Sequence, residues 1–477
     1  MAATEAQVST DPNTPEDLTR SITGRLLFFY VLGDVLGSGI YVLIGLVAAA
    51  IGGAFWIAFA VGVTIATVTG LAYAELVTKY PKAAGAALYV HKAFRNNALT
   101  FFITVCMLSA VFAAAGSLAT GFSRYFGEIW SLPPALLVTL AFILLLSVVN
   151  YIGITESVVA NMVMTFVEVA GLIIVMIIGV LHVARGDADF AVLTQFTAEG
   201  SPVIAVIAGV ALAFFAMTGF ENAANVAEET INPSKAFPRA LIGGMLAAGT
   251  IYVLVAATAA LVVPVDTLGE SDAALLEVVR AGVLPINVEV MSTIFAVIAM
   301  VAITNTTLVV VVTQSRILYG MGREDVVPAA FGRVHRTRRS PYVALSFAAI
   351  VVCSLLLIGA LLNAIGVDVD VVARLATVTV VFILFIYALV IVATLKLRGQ
   401  DETEDTFRAP TPLLYLGLVG NLIVFVYVIW DDPASLLWVG GLLALGGALY
   451  VAQRLRSGRG PKAGAGENLT ADVVEGA

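Results

Sequence analysis

Charge is what this chain has least of. Asp, Glu, Lys and Arg make up only 12% of its 477 residues, about half the share of a soluble domain, which excludes a fully solvated globular surface. Cysteine is nearly missing. Cys106 and Cys353 sit far apart inside apolar runs, so a disulfide framework is excluded and both read as small buried hydrophobes. Three scattered histidines, His91, His182 and His335, do not make a metal cluster. No phosphate-binding Gly-rich loop of the Walker A kind and no nucleophile–base motif stands out. An ATP-driven pump and an enzyme are therefore both disfavoured, and no cofactor, metal or nucleic-acid partner is expected. The first 23 residues are polar and acidic, unlike a cleavable signal peptide. From Ser457 the chain is rich in Gly, Ala and charge, the composition of a disordered tail.

Apolar sequence is what it has. Hydrophobic residues make up 60% of the chain, and the mean hydropathy is +1.00. Several runs exceed the ~20 residues that cross a bilayer core, and the short alternating segments of a β-barrel are missing. The fold class expected is an all-α polytopic membrane protein. Twelve spans are expected, near 25–50, 52–78, 98–122, 134–154, 157–183, 202–227, 238–263, 287–314, 342–363, 371–396, 411–430 and 434–454. With both termini cytoplasmic, 21 of the 25 Lys and Arg fall inside, leaving Arg124, Arg185, Arg280 and Arg374 outside. That asymmetry fixes orientation and supports an even number of spans. The acids behind the net charge of −8 crowd the termini and the outer loops (Asp266, Glu270, Asp272, Asp368, Asp370, Asp431, Asp432) and read as solvated.

Two spans are interrupted. The first carries "LGDVLGSGIY" from Leu32 to Tyr41, with Asp34 and a Gly37-Ser38-Gly39 triplet in an otherwise apolar run. Glycine disfavours a helix interior, and an acid at mid-membrane costs ~2.5–3.5 kcal/mol on insertion scales. The sixth carries "ALAFFAMTGFENAANVAEE", broken at Thr218 and Gly219 with Glu221 just after. A small-residue packing face would account for Gly37 and Gly39 alone, and less readily for the pair. Interruptions at matching places five spans apart point to two inverted five-span repeats with a site between them. The division expected is an N-terminal tail (1–23), a first repeat (24–184), a second repeat (185–400), two further spans (401–456) and a C-terminal tail (457–477).

These residues resemble the amino acid–polyamine–organocation family of permeases, from Arg25 to about Arg456. The resemblance is carried by "GSGIY" at 37–41, "AYAELVTKYPKAAGAALYVHKAF" from Ala72, "FFAMTGFENAANVAEETINPSKAFPRA" from Phe214 and "SRILYGMGREDVVPAAFGRVH" from Ser315. Span one is similar to the cationic-amino-acid-transporter-like branch. The resemblance implies a leucine-transporter-like fold and a secondary transporter of amino acids in the cell membrane, working by symport or antiport. A polyamine or organic-amine permease, and a channel or nutrient sensor on the same scaffold, are the alternatives. It implies a substrate carboxylate on the N–H groups of Ser38, Gly39 and Ile40. The amine is implied on carbonyls near Phe215, Ala216 and Thr218, with Phe215 as a closing aromatic or plain core. The chemistry agrees, because a helix starting after a break offers unpaired donors and a positive dipole end. The segments after spans two and eight are implied to form short pieces near an inner gate.

Asp34, Glu168 and Glu221 lie within spans, and no Lys or Arg lies at comparable depth. Three buried carboxylates without a base cannot all stay ionised cheaply. Glu168 stands where many family members carry lysine. It reads as a proton carrier, as a sodium ligand beside the hydroxyls of Thr304, Thr306 and Thr307, or as a hydrogen-bonded structural group. Glu221 reads as an inner-gate residue or a second coupling group with Asp34. The partners expected are a small amino acid or organic cation, a proton or sodium ion, and the bilayer.

Overall fold

Residues 22–81, 85–152, 158–196, 201–227, 230–323, 326–335, 338, 340–400 and 406–457 are described by a computed structural model. The tails expected at 1–23 and 457–477 lie almost wholly outside the described residues, as do 82–84 and 324–325 of the two motif segments. The described chain is helical, with one isolated parallel bridge between Ile22 and Thr230.

Among the described residues, eleven helices are long and apolar enough to cross a membrane, and a bent pair makes twelve spans. Span 1 is that pair, Gly24–Leu36 and Gly39–Ile51, meeting at 42°. Spans 2 to 5 are Trp56–Lys79, Asn97–Gly127, Ala135–Ile152 and Val158–Arg185. Span 6 is an α-helix, Pro202–Ala213, followed by two 3₁₀ turns, Phe214–Met217 and Phe220–Val226. Spans 7 to 12 are Pro233–Val262, Val288–Arg323, Tyr342–Ala364, Val371–Leu397, Thr411–Asp431 and Ser435–Ser457. The element order repeats. Each broken span is followed by one long helix, then short helical pieces (Gly85–Phe94 in one half, Val265–Glu270 and Ala274–Arg280 in the other), then three long helices. Four spans lie between the breaks, so the two broken spans enter from opposite faces.

Three boundaries differ from the sequence expectation. Span 7 starts at Pro233 rather than near 238, because Pro233 takes the first helical turn after Asn232, which is left-handed at φ 50°. Pro238 then lies inside the helix. Span 8 continues to Arg323 rather than 314, because the polar Ser315–Arg323 stretch propagates a helix already nucleated. Span 3 likewise runs on to Gly127.

Burial ranks the spans. In the most apolar stretch of each, 78% is buried in span 10 and 67% in span 3, against 28% and 22% in spans 11 and 12. Spans 10 and 3 form the centre, and spans 11 and 12 sit at the lipid-facing edge. Six of the seven outer acids named above are exposed and Asp432 is half-buried, and several acids on this side pair with arginines. Arg124 holds Asp272 at 2.9 Å and Asp370 at 3.1 Å, Arg280 holds Glu128 and Glu277, and Arg374 pairs with Asp432. With Arg185 donating to the Val283 carbonyl, all four arginines assigned to one side by charge counting tie helix ends together there.

Candidate functional site

The two breaks meet. Backbone geometry after Gly37 starts a new helix whose first internal bond runs from Val42 N–H to the Ser38 carbonyl at 3.1 Å. The N–H groups of Gly39 and Ile40 precede that bond and have no acceptor within the helix. Ser38 makes no side-chain cap to them. Its own N–H donates to the Thr306 hydroxyl of span 8 at 3.1 Å. A Cβ on Gly39 would lie 2.5 Å from Ala216 Cα, so the bare glycine lets the two broken helices touch backbone to backbone.

On the other side, Gly219 adopts φ +116°, and a Cβ there would lie 2.6 Å from the Asp34 carbonyl oxygen. Only glycine fits both demands. The carbonyls around this break already have donors. Phe215 O accepts from the Thr218 hydroxyl at 2.8 Å. The Tyr252 hydroxyl of span 7 sits 2.6 Å from Val35 O and 3.2 Å from Ala216 O, so one phenol serves carbonyls of both broken spans. Ser38, Gly39, Ile40, Phe215 and Ala216 are buried and Thr218 is half-buried, and the Gly39–Ala216 approach brings the two expected triplets into contact.

The three acids separate. Glu168 is fully buried, whereas Asp34 and Glu221 are half-buried, with the Asp34 Oδ2 atom itself out of solvent. The Glu221 carboxylate accepts the Gly219 N–H at 2.9 Å and the Tyr387 hydroxyl at 2.5 Å, so it closes the span 6 break locally. Glu168 Oε1 accepts from Asn305 Nδ2 at 3.0 Å. Glu168 Oε2 and Asn305 Oδ1 are buried with no hydrogen-bond partner among the described residues. The Glu168 carbonyl accepts from the Tyr41 hydroxyl at 2.7 Å, and Tyr41 O accepts from Tyr125 at 2.9 Å. The threonines of span 8 divide. Thr304 and Thr307 bond back to Met300 and Ile303, while Thr306 serves the span 1 break. At 100° per residue one helix cannot aim 304, 305, 306 and 307 at a single point, and it is Asn305 that meets Glu168.

Sequence reasoning missed Tyr41, Tyr252, Asn305 and Tyr387. A signal existed, since a buried phenol must find an acceptor and broken helices expose them. It missed a second constellation as well. Glu75, at the end of span 2, receives Arg398 Nε at 3.0 Å and Nη2 at 2.8 Å, plus the Ala409 N–H at 2.8 Å. Arg398 also reaches the Ala409 carbonyl and the Thr411 hydroxyl, each at 2.6 Å. This knot fastens spans 2, 10 and 11 at the end opposite the outer arginines.

A family model described as amino acid permease matches residues 24–443. The chain is 28% identical over 355 residues to the chloroplastic cationic amino acid transporter 9 of Arabidopsis thaliana, covering 70% of this chain but only 60% of that protein's length. It is 26% identical over 439 residues to a branched-chain amino acid permease of Bacillus subtilis, covering 86% and 88% of the two chains. In shape it is similar to the crystal structure of a manganese transporter of Eremococcus coleocola, at TM-score 0.58, 12% identity and 94% coverage of both. At that identity the likeness concerns the fold alone.

Proposed function

The chain belongs to the amino acid permease family, and on that premise we propose that it is a secondary transporter carrying an α-amino acid across the cell membrane, with both termini cytoplasmic. The observation that carries this reading is the contact between the two breaks, Gly39 against Ala216 and Gly219 against the Asp34 carbonyl. A zwitterion has one anionic and one cationic end, and the paired breaks offer donors on one side and acceptors on the other within a few ångströms. The carboxylate takes the Gly39 and Ile40 N–H groups and displaces the Thr306 hydroxyl from Ser38. The amine takes Phe215 and Ala216 carbonyls, with Thr218 and Tyr252 releasing part of their hold. Substrate entry therefore requires the breaks to part, which couples binding to movement of one repeat against the other. In this reading the 24–184 and 185–400 units are the moving parts.

Coupling is assigned to Glu168. A carboxylate with one bonded oxygen and one bare oxygen is costly in a dry interior, and a proton on Oε2 turns that acceptor into a donor. A sodium ion held at the bare Glu168 oxygen is the competing use of the same atom. The names of the two relatives divide between cationic and branched-chain amino acids. Glu221 is already engaged by Tyr387 and Gly219, which weakens the case for a surplus of acids awaiting a polycation.

Proteoliposomes loaded with a panel of amino acids and amines test the reading. Saturable counterflow of labelled α-amino acid is the expected result. Counterflow of polyamines alone would make the protein an amine permease. Flux without saturation or counterflow would make it a channel.

A further inference from the structure

One cavity among the described residues lies away from both breaks. It is a groove of about 890 Å³ between the starts of spans 1 and 7. Its walls carry Arg25 from one helix and Lys235 and Arg239 from the other, its apolar lining includes Phe28, Phe29 and Ile231, and no acid lines it among the described residues. In a chain of net charge −8, three cations around an apolar lining form a local reversal of sign. All three are exposed, as are Phe29 and Ile231. None of the three cations has an ion-pair partner among the described residues, whereas Arg398 at the same end of the bundle is fully engaged. The two helix starts are held in fixed relation. Ile231 N–H donates to the Ile22 carbonyl at 2.9 Å, and a Cβ on Gly24 would make ordinary contact with Ala236 at 3.5 Å. Phe29 reaches on to Phe166 of span 5, with ring centroids 6.0 Å apart.

We propose that this groove is a binding site for an anionic phospholipid, the phosphate-bearing headgroup held by Arg25, Lys235 and Arg239 and an acyl chain lying against Phe28, Phe29 and Ile231. The charge complementarity selects an anion. The aromatic and aliphatic lining, at the point where two spans enter the apolar layer, selects one with a hydrocarbon tail over a free phosphate. Basic pockets between helix ends are a recognised setting for such headgroups. The occupant would bridge spans 1 and 7, one broken span and its neighbour, so it would bear on the movement that the breaks allow. The site itself does not depend on which substrate is carried.

The test uses the purified full-length protein in detergent, with phosphatidylglycerol, phosphatidylcholine and inorganic phosphate as probes, read by native mass spectrometry and by melting temperature. Each cation near a headgroup is worth about fivefold in affinity, so on the order of a hundredfold preference for phosphatidylglycerol over phosphatidylcholine is expected for the three. The R25Q/K235Q/R239Q variant should lose that preference, while K92Q/R95Q, exposed cations outside the groove, should keep it. All these positions are exposed, so both variants should fold. Equal binding of the two lipids by wild type, or an unchanged preference in the triple variant, overturns the proposal. Full stabilisation by inorganic phosphate alone also overturns it, making the site a free-anion site. A preference that appears only after the acidic segment before Ile22 is removed would mean that this segment, rather than lipid, occupies the groove.

Discussion

At the scale of single residues, the account rests on backbone contacts that tolerate no added atoms. Gly219→Ala should destabilise the protein by about 1–3 kcal/mol, from a left-handed φ forced on a side chain and a Cβ 2.6 Å from the Asp34 oxygen. A lowered melting temperature with lost transport is expected, and an unchanged melting temperature would show that the breaks do not abut. Tyr252→Phe keeps the ring and removes the one hydroxyl that serves both broken spans. It should cost about 1–3 kcal/mol for the donor lost to two buried carbonyls, measurable by thermal unfolding in detergent. Glu168→Gln keeps the shape and removes the titration. It should abolish accumulation driven by an inward proton gradient and spare exchange of substrate for substrate. If sodium stabilises wild type but not the Gln variant, the ion is sodium, and normal accumulation in Glu168→Gln would make the residue structural. The sequence exposed Asp34, Glu168, Glu221 and the glycines because each is locally out of place in an apolar run. It hid Asn305 and Tyr252 because their meaning lies in partners 137 and 217 residues away, a distance no local pattern spans.

At the scale of elements, span 6 shows why an interrupted helix is legible while its geometry is not. Thr218 and Gly219 announce a break, but nothing in the residues distinguishes an α-helix from the two 3₁₀ turns that flank it. The same limit applies where helices are fastened to one another. Glu75 and Arg398 are 323 positions apart, yet their side chains are only 5% and 11% exposed and face each other bidentately. Removing one partner of a buried pair strands the other, so Arg398→Met should destabilise by about 3–5 kcal/mol. Glu75→Gln made in the Arg398→Met background should recover much of that loss. A double variant no better than the sum of the singles would mean that the pair carries no coupling and the knot is held by the 407–411 backbone. Similar reasoning separates helix boundaries from helix identity. The twelve spans follow from apolar runs, whereas the start of span 7 depends on Asn232 accepting a left-handed backbone.

At the scale of the whole molecule, the repeat of broken helix, long helix, short pieces and three long helices gives two halves that enter from opposite faces. Composition alone set the membrane class, apolar runs set the span count, charge asymmetry set the orientation, and the paired breaks set the architecture. Substrate identity was not legible, because it is decided by side chains from several spans that converge only in three dimensions. The central claim is that one zwitterion is read at both ends by the two breaks. Competition in the counterflow assay tests it most directly, setting the best-transported amino acid against its carboxamide, which lacks the negative charge, and against the carboxylic acid left by removing its amino group, which lacks the positive one. The account predicts that neither analogue competes at concentrations where the parent amino acid saturates exchange, because each lacks one of the two charges that the breaks bind. Competition by either analogue equal to that of the amino acid would contradict it, since the Ser38–Ile40 backbone, for the carboxamide, or the span 6 carbonyls, for the deaminated acid, would then have no part in recognition.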